Sequence, residues 1–455
     1  MVNIAAVCRA AAFFLPVLAA AQSGVVGTPS GFAAGTTGGG DAAAAAPSDV
    51  AELISWLEDE TPRVILIDKE FNFLGTEGTK SDQGCRPDSN KCPGKGGQDA
   101  INQANWCDNG NAGEGVSAVT VKYDQAALKG IAVKSNKSIV GVGDKGVLKG
   151  KGLSLTGGVE NVIIQNIHIT DLNPEYIWGG DAITLAGSDK VWNTAAEHEF
   201  HAIACFCGCQ CCLEVPHPTS CYILYYAFNS KTNARNVDHV KISLVGRQMI
   251  VTGYDKAGRV TISNSEFDGQ TDWSASCNGE HYWTVLVYGA DDQITFANNY
   301  MHDTSGRSPK IGGADGAGIT FHAVNNVFQT NKGHNFDIGS GAEVLLEGNT
   351  FNECNQPITS KSANEGGAIF NTPSGSESSC SSYLKRACQA NTLTSSGDFG
   401  TYKDTSVLEG FNGATSIWEA VSAEEAAASV IANAGIGKLQ GGASNSTAKF
   451  RRFQS

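Results

Sequence analysis

The chain has 455 residues, 41% of them hydrophobic and 17% charged, with 54 glycines; this composition excludes disordered and collagen-like chains and leaves room for a large core. Its 46 acidic against 32 basic residues give a net charge of -14, and with no Lys/Arg-rich run to override that field, nucleic acid is excluded as a partner. An extended polyanion would be repelled in the same way unless a local basic site prevailed.

Residues 1–21 carry Arg9, then an apolar stretch of about a dozen residues and the small residues Ala19 to Ala21. This is the pattern of a cleaved secretory signal, too short to span a bilayer. A mature chain of 22–455 is therefore expected to be secreted and extracellular, with no membrane segment. An oxidising compartment turns spaced cysteines into crosslinks. Cys85, Cys92 and Cys107 lie in a Gly/Pro-rich region, Cys277 follows far downstream, and Cys380 and Cys388 form a close pair; three disulfides are expected, in a pairing that spacing leaves open. Cys354 is left over and reads as a buried small apolar residue.

SDVAELISWLED predicts a short amphipathic helix capped by Ser48, and RVILID from Arg63 a buried strand. From Lys134 onward, short β-branched runs end in Asn or Gly and restart about every 22 to 35 residues, which is a repeat. Its units are NVIIQNIHI from Asn161, RVTISNSEF from Arg259, QITFANNYM from Gln293, TFHAVNNVF from Thr320 and EVLLEGNTF from Glu343. Superposing their ends aligns Asn166, Asn264, Asn298 and Asn325, a predicted hydrogen-bonded ladder at one corner of stacked coils. Because Asn-Gly hairpin signals between the runs are few, an antiparallel sandwich fits less well. The expected fold is all-β: a single-stranded, right-handed parallel β-helix with short peripheral helices. One of these is expected from Ser416, stopped by Gly435 and Gly437, with Trp418, Val421 and Val430 against the coils.

Residues 193–236 break this rhythm. Six of the 14 cysteines crowd there, yet CFCGCQCC has no ordinary zinc spacing. Asn136-Lys137-Ser138 and Asn445-Ser446-Thr447 are glycosylation acceptors by pattern, Asn136 in a coil and Asn445 in the tail. Asp272 and Glu280 are candidates for a groove, whereas His239, His302, His322 and His334 read as core or turn histidines.

Four segments place charge and aromatics at strand ends: WGGDAIT from Trp178, GRQMIV from Gly246, CNGEHYWTV from Cys277 and SGRSPK from Ser305. With them the chain resembles polysaccharide lyase family one, from about Gly27 to Gly348, and within it the secreted pectin lyases more than the calcium-dependent pectate lyases. The resemblance implies a catalytic base at Arg307, with Lys310 as its electrostatic partner. It puts Arg247 where pectate lyases carry an acidic calcium ligand, and Asp181 as the residue that orients Arg247. Trp178, Trp283, Tyr282 and Trp106 would be the aromatic walls for sugar rings. In the family the strand after WGGDAIT continues as V-W-I-D-H-V. Here Val191 and Trp192 are cut off from Asp238 and His239 by residues 193–236, which read as translated non-coding sequence, such as a retained intron, interrupting a single lyase domain and splitting a strand beside the groove.

The implied activity is endo-acting β-elimination on methyl-esterified homogalacturonan, leaving 4,5-unsaturated ends, by a monomer without metal or cofactor. Removing the C5 proton is the difficulty. A C6 methyl ester withdraws electrons better than a carboxylate, and fixed cations at the enolate oxygen can supply several kcal/mol of stabilisation. A weakly charged ester polymer also suits an acidic protein. The alternatives are a calcium-dependent pectate lyase and a non-catalytic, pectin-binding β-helix.

Overall fold

The computed structural model describes residues 24–93, 96–186, 234–414 and 416–439. The expected signal, most of the Cys-rich segment and Asn445 lie outside the described residues.

Short apolar runs alternate inward and outward side chains, and each pairs with its counterpart one coil away. The result is three parallel sheets of ten, nine and seven strands running along one axis, the expected parallel β-helix. In the ten-stranded sheet one inward column runs Ile65, Ile139, Ile164, Val237, Ile262, Phe296. In the nine-stranded sheet Ile169, Ile242, Phe267, Met301, Phe328 and Phe351 stack likewise. All of these residues are buried in one continuous core. Each such side chain contributes about 1.5–3 kcal/mol by leaving water, so the stack is stabilised coil by coil.

The corner ladder differs from expectation by one residue. Asn166, Asn264, Asn298 and Asn325 do share the left-handed conformation that turns the chain, with φ between 48° and 58°. Asparagine tolerates this geometry better than other side-chain-bearing residues. Of the four, only Asn298 and Asn264 bond to each other, at 3.3 Å. The continuous ladder is built by the residues one step further into the coil, Asn299, Asn326, Asn349 and Asn391, linked side chain to side chain at 2.9–3.0 Å. A left-handed residue turns its side chain out of the corner and the next one turns in, so the buried ladder needs the second position.

Val191 and Trp192 lie outside the described residues, but a strand does form up to Asp238. Ala234–Asp238 pairs in parallel with Val162–Gln165 on one side and Arg259–Ser263 on the other. Sheet hydrogen bonds use backbone groups, so the last residues of the Cys-rich segment serve the ladder as well as any. This strand also belongs to the ten-stranded sheet, not to the seven-stranded sheet that floors the groove described below.

The amino-terminal helix spans Val50–Glu58 and its cap is Asp49, which accepts from the Glu52 N–H; Ser48 lies one residue too early and its own N–H bonds Glu52. Near the carboxyl end the helix is confined to Ala423–Asn433, capped by Ser422. Val430 is buried, but Trp418 and Val421 precede the helix, and Val421 is exposed. The six expected cysteines pair as Cys85–Cys107, Cys92–Cys277 and Cys380–Cys388. Cys354 is free and buried, and burial pushes its thiol up to about 12, so it is an inert core residue. Asn136 sits on a corner with its amide oxygen bonded by Asn161, and Lys137 and Ser138 are fully buried; the folded wall leaves that acceptor little room for a glycan. Among the described residues no helix is long and apolar enough to cross a membrane.

Candidate active site

In the seven-stranded sheet the inward column Ile183, Ile250, Val285 is core, and the alternate residues Thr184, Val251, Leu286, Lys310 and Asp337 form an outward row. The residues just before these strands stack at one corner of successive coils: Asp181, Arg247, Trp283 and Arg307. Facing them is a four-stranded side sheet of Thr79–Arg86, Asp99–Ile101, Ser117–Asp124 and Tyr176–Ile177. Its connection carrying Trp106 is fastened by the Cys85–Cys107 bridge, and Cys92 ties the same region to the loop before Trp283. Between wall and floor lies a cleft of about 500 Å³ lined by Trp106, Trp178, Arg247, Tyr254, Tyr288 and Arg307. A second hollow of about 400 Å³ continues past Trp106 to Tyr282 and Trp283. The four expected aromatic residues are thus brought together.

The two arginines are held by aromatic faces. The Arg247 guanidinium carbon lies 3.6 Å from the Trp178 ring centre and that of Arg307 4.6 Å from Trp283, within the range where a ring face attracts a cation. Trp178 and Arg307 both have positive φ, 67° and 45°, conformations that bulky residues adopt only where surrounding structure imposes them. Arg307 is half-buried and its Nε has no hydrogen-bond partner. Among the described residues no carboxylate forms an ion pair with it. Asp181 lies 3.6 Å from Arg247 and accepts the Gln248 N–H at 2.7 Å. Burial pushes the Asp181 carboxyl up, against the pull of Arg247 and that N–H. Burial lowers the Arg247 guanidinium; Asp181 opposes this and Arg307 adds to it.

Lys310 stands apart from this group. Its Nζ bonds Asp337 at 3.0 Å, and it belongs to the outward row rather than to the lining of the cleft. Of the groove candidates, Glu280 is buried and paired with Lys332 at 2.9 Å, Asp272 is exposed, and neither lines the two hollows.

Several residues with a place here had no local signal. Gln98 is buried: its amide donates to the Gly246 and Pro174 carbonyls at 2.8 and 3.1 Å, and its oxygen accepts the Trp283 indole N–H at 3.0 Å. Replacing it, Gln98→Leu, would leave those groups unpaired. The change is expected to cost about 1–3 kcal/mol, read as a lower urea midpoint. His281 is buried, with Nε2 at 2.7 Å from the Arg247 carbonyl and 2.9 Å from that of Trp283; burial lowers its pKa, against the pull of those two carbonyls. His334 accepts the Arg307 N–H at 3.3 Å. Tyr254 and Tyr288 pack ring to ring at 5.6 Å on the cleft. Except for the Trp283 carbonyl, two residues from His281, their partners come from other coils or from the side sheet, so spacing could not announce them.

A calcium ion needs several oxygen ligands, mostly carboxylates and carbonyls. Around Asp181 the neighbours are a guanidinium and a backbone N–H, both donors, so these residues do not fit one. Among the described residues the one trio of ligand type is Glu266, Asp268 and His302 on the nine-stranded sheet, where Lys241 already bonds both carboxylates at 2.8 and 3.0 Å.

An open, aromatic-walled cleft with a cationic corner along the flank of a parallel β-helix has the shape and surfaces that suit a long sugar chain. The family model described as pectate lyase matches residues 248–439. A probable pectin lyase F of Aspergillus flavus is 50% identical over 437 residues, 95% of this chain and 88% of its own. A probable pectin lyase F-2 of Aspergillus terreus is 49% identical, over 96% of this chain and 79% of its own, and a probable pectin lyase E of Aspergillus fumigatus is 45% identical, over 91% and 96%. The chain belongs to the pectate lyase family of polysaccharide lyases, together with these probable pectin lyases.

Proposed function

We propose that this chain is a secreted, endo-acting pectin lyase that cleaves methyl-esterified homogalacturonan by β-elimination, as a monomer and without a metal. The observation that carries this reading is the Arg247–Asp181–Arg307 corner, where two guanidiniums lie on the faces of Trp178 and Trp283 beside one half-buried carboxylate that Arg247 pairs with. In the reaction, Arg307 acts as base in its neutral guanidine form, having given one proton to water: the C5–H bond breaks and its proton passes to that guanidine nitrogen, which becomes the cation beside the enolate. The electron pair moves through the enolate of the C6 ester to form the C4–C5 double bond, and the C4–O4 bond breaks to release the leaving chain, whose oxygen takes up a proton. Arg247, oriented by Asp181, supports the negative charge that develops on the ester carbonyl. Dipoles and charges fixed before the reaction need no reorganisation as charge develops on the ester. Trp106, Trp178, Trp283 and Tyr282 supply flat apolar faces to sugar rings and ester methyls.

Lys310, the expected electrostatic partner of Arg307, is paired with Asp337 at 3.0 Å and has no part in the step. The three disulfides are consistent with an oxidising compartment and so with secretion of residues 22–455. Residues 193–236 are proposed to be translated non-coding sequence within this single domain; sequencing the transcript across Trp192 and Asp238 tests this, and a message containing the segment counts against it.

The assay is the ultraviolet absorbance of unsaturated uronate ends, on highly esterified pectin and on pectate, with and without a calcium chelator. Activity on esterified pectin is expected to survive chelation. A chelator-sensitive activity on pectate would favour the calcium-dependent alternative, and binding without unsaturated ends would make the chain a pectin-binding β-helix.

A further inference from the structure

The outward row of the groove sheet ends in charges that cancel. Leu286, on the cleft, is followed one coil on by Lys310 and then by Asp337. Asp337 is almost fully buried, and its two oxygens take one lysine each: Lys310 at 3.0 Å on Oδ2 and Lys361 at 3.2 Å on Oδ1. Lys361 also reaches Glu365 at 3.5 Å, and the Thr359 hydroxyl donates to Asp337 at 3.5 Å. Burial alone would push the Asp337 carboxyl up, but the two lysines hold it below the ordinary value. Two cations and two anions thus meet beyond Leu286 in the outward row, in contrast to the Arg247 and Arg307 corner, where the single carboxylate, Asp181, pairs with Arg247 alone.

We infer that Asp337 is a specificity-determining residue: by pairing with Lys310 and Lys361 it removes the net positive charge that would otherwise draw free uronate carboxylates onto that end of the groove. This rests on the pectin lyase reading and adds to it a reason for preferring esterified over de-esterified chain. A lysine bonded to a buried aspartate presents little field to a carboxylate several ångströms away, since the two charges act as a dipole. Freed of its partner it presents a full charge.

The test compares one enzyme on two substrates, pectin of low and of high methyl-ester content, by the ratio of their kcat/KM values. Any loss common to both cancels. Asp337→Asn keeps the shape and removes the charge, and is expected to raise the low-ester to high-ester ratio about fivefold at low ionic strength. The gain should vanish near 1 M salt, where screening acts within about 3 Å; a purely structural role for Asp337 would leave the ratio where it was. Lys361→Gln changes an exposed side chain, spares the fold, and is expected to lower the ratio about twofold, because Asp337 and Glu365 then outweigh Lys310. If Asp337→Asn fails to fold, Lys361→Gln decides. Ratios unchanged in the folded variants overturn the inference. A parent protein that releases unsaturated ends from neither pectin overturns the pectin lyase reading instead, and this inference with it.

Discussion

Arg307→Ala is expected to lower kcat on esterified pectin by about a thousandfold or more, with KM changed far less. A positioned group that takes the proton is worth roughly 10²–10⁴ in rate, and once protonated the same side chain carries charge beside the enolate. The fold should hold, for a local reason. Arg307 has a φ of 45°, a conformation that costs any residue with a Cβ roughly 1–2 kcal/mol, and alanine has that atom too, so the exchange adds no backbone strain. The contacts that fix this turn are made by the backbone: the Val285 N–H and the Thr284 hydroxyl donate to the Arg307 carbonyl, and its N–H bonds His334. Circular dichroism and a thermal midpoint close to the parent's would show that the loss is chemical. Arg307→Gly should relieve the turn and raise the midpoint while losing the activity equally.

Glu347→Ala is expected to destabilise the protein by about 3–5 kcal/mol, the penalty for stranding a buried charge. Glu347 is completely buried in the ten-stranded sheet. It accepts two bonds from Arg386 at 2.7 and 2.8 Å, one from His322 at 2.7 Å and the Gln389 N–H at 3.1 Å. Arg386 in turn donates to the Trp418 carbonyl, so this carboxylate fastens the carboxyl-terminal wrap to the coils. Burial would raise its pKa, yet Arg386 and His322 bring it from the ordinary 4.5 down to about 2. A depressed carboxyl stabilises the fold fully above its unfolded value, so the contribution is present above about pH 4.5 and is lost as pH falls toward 2. Denaturant midpoints of the parent should therefore drop across that interval, and those of Glu347→Ala should drop less there. An equal acid slope in both proteins would contradict the assignment.

The repeat of β-branched runs, and the absence of hairpin turns between them, carried the architecture, because coil stacking depends on residues close in sequence. The cleft was legible through four short motifs, each of which sits at a strand end. What escaped was set by partners far along the chain. Gln98 reaches Trp283 across the cleft, Asp337 claims Lys310 from the next coil, and His281 bridges two carbonyls that no pattern flags. Residue-level placement failed where a single φ decides: the Asn ladder runs through Asn299 and Asn326 because Asn298 and Asn325 are left-handed. The cap at Asp49 in place of Ser48 is an error of the same size, between two adjacent residues that can each accept the helix N–H groups. Cysteine pairing needed coordinates, since spacing cannot bring Cys92 to Cys277.

The most direct test is release of unsaturated uronate ends from highly esterified pectin by the parent chain in excess chelator. Our account predicts a steady rise in absorbance that chelation does not slow, with little on pectate. No rise on the ester, or a rise only on pectate that stops when calcium is withdrawn, would contradict it.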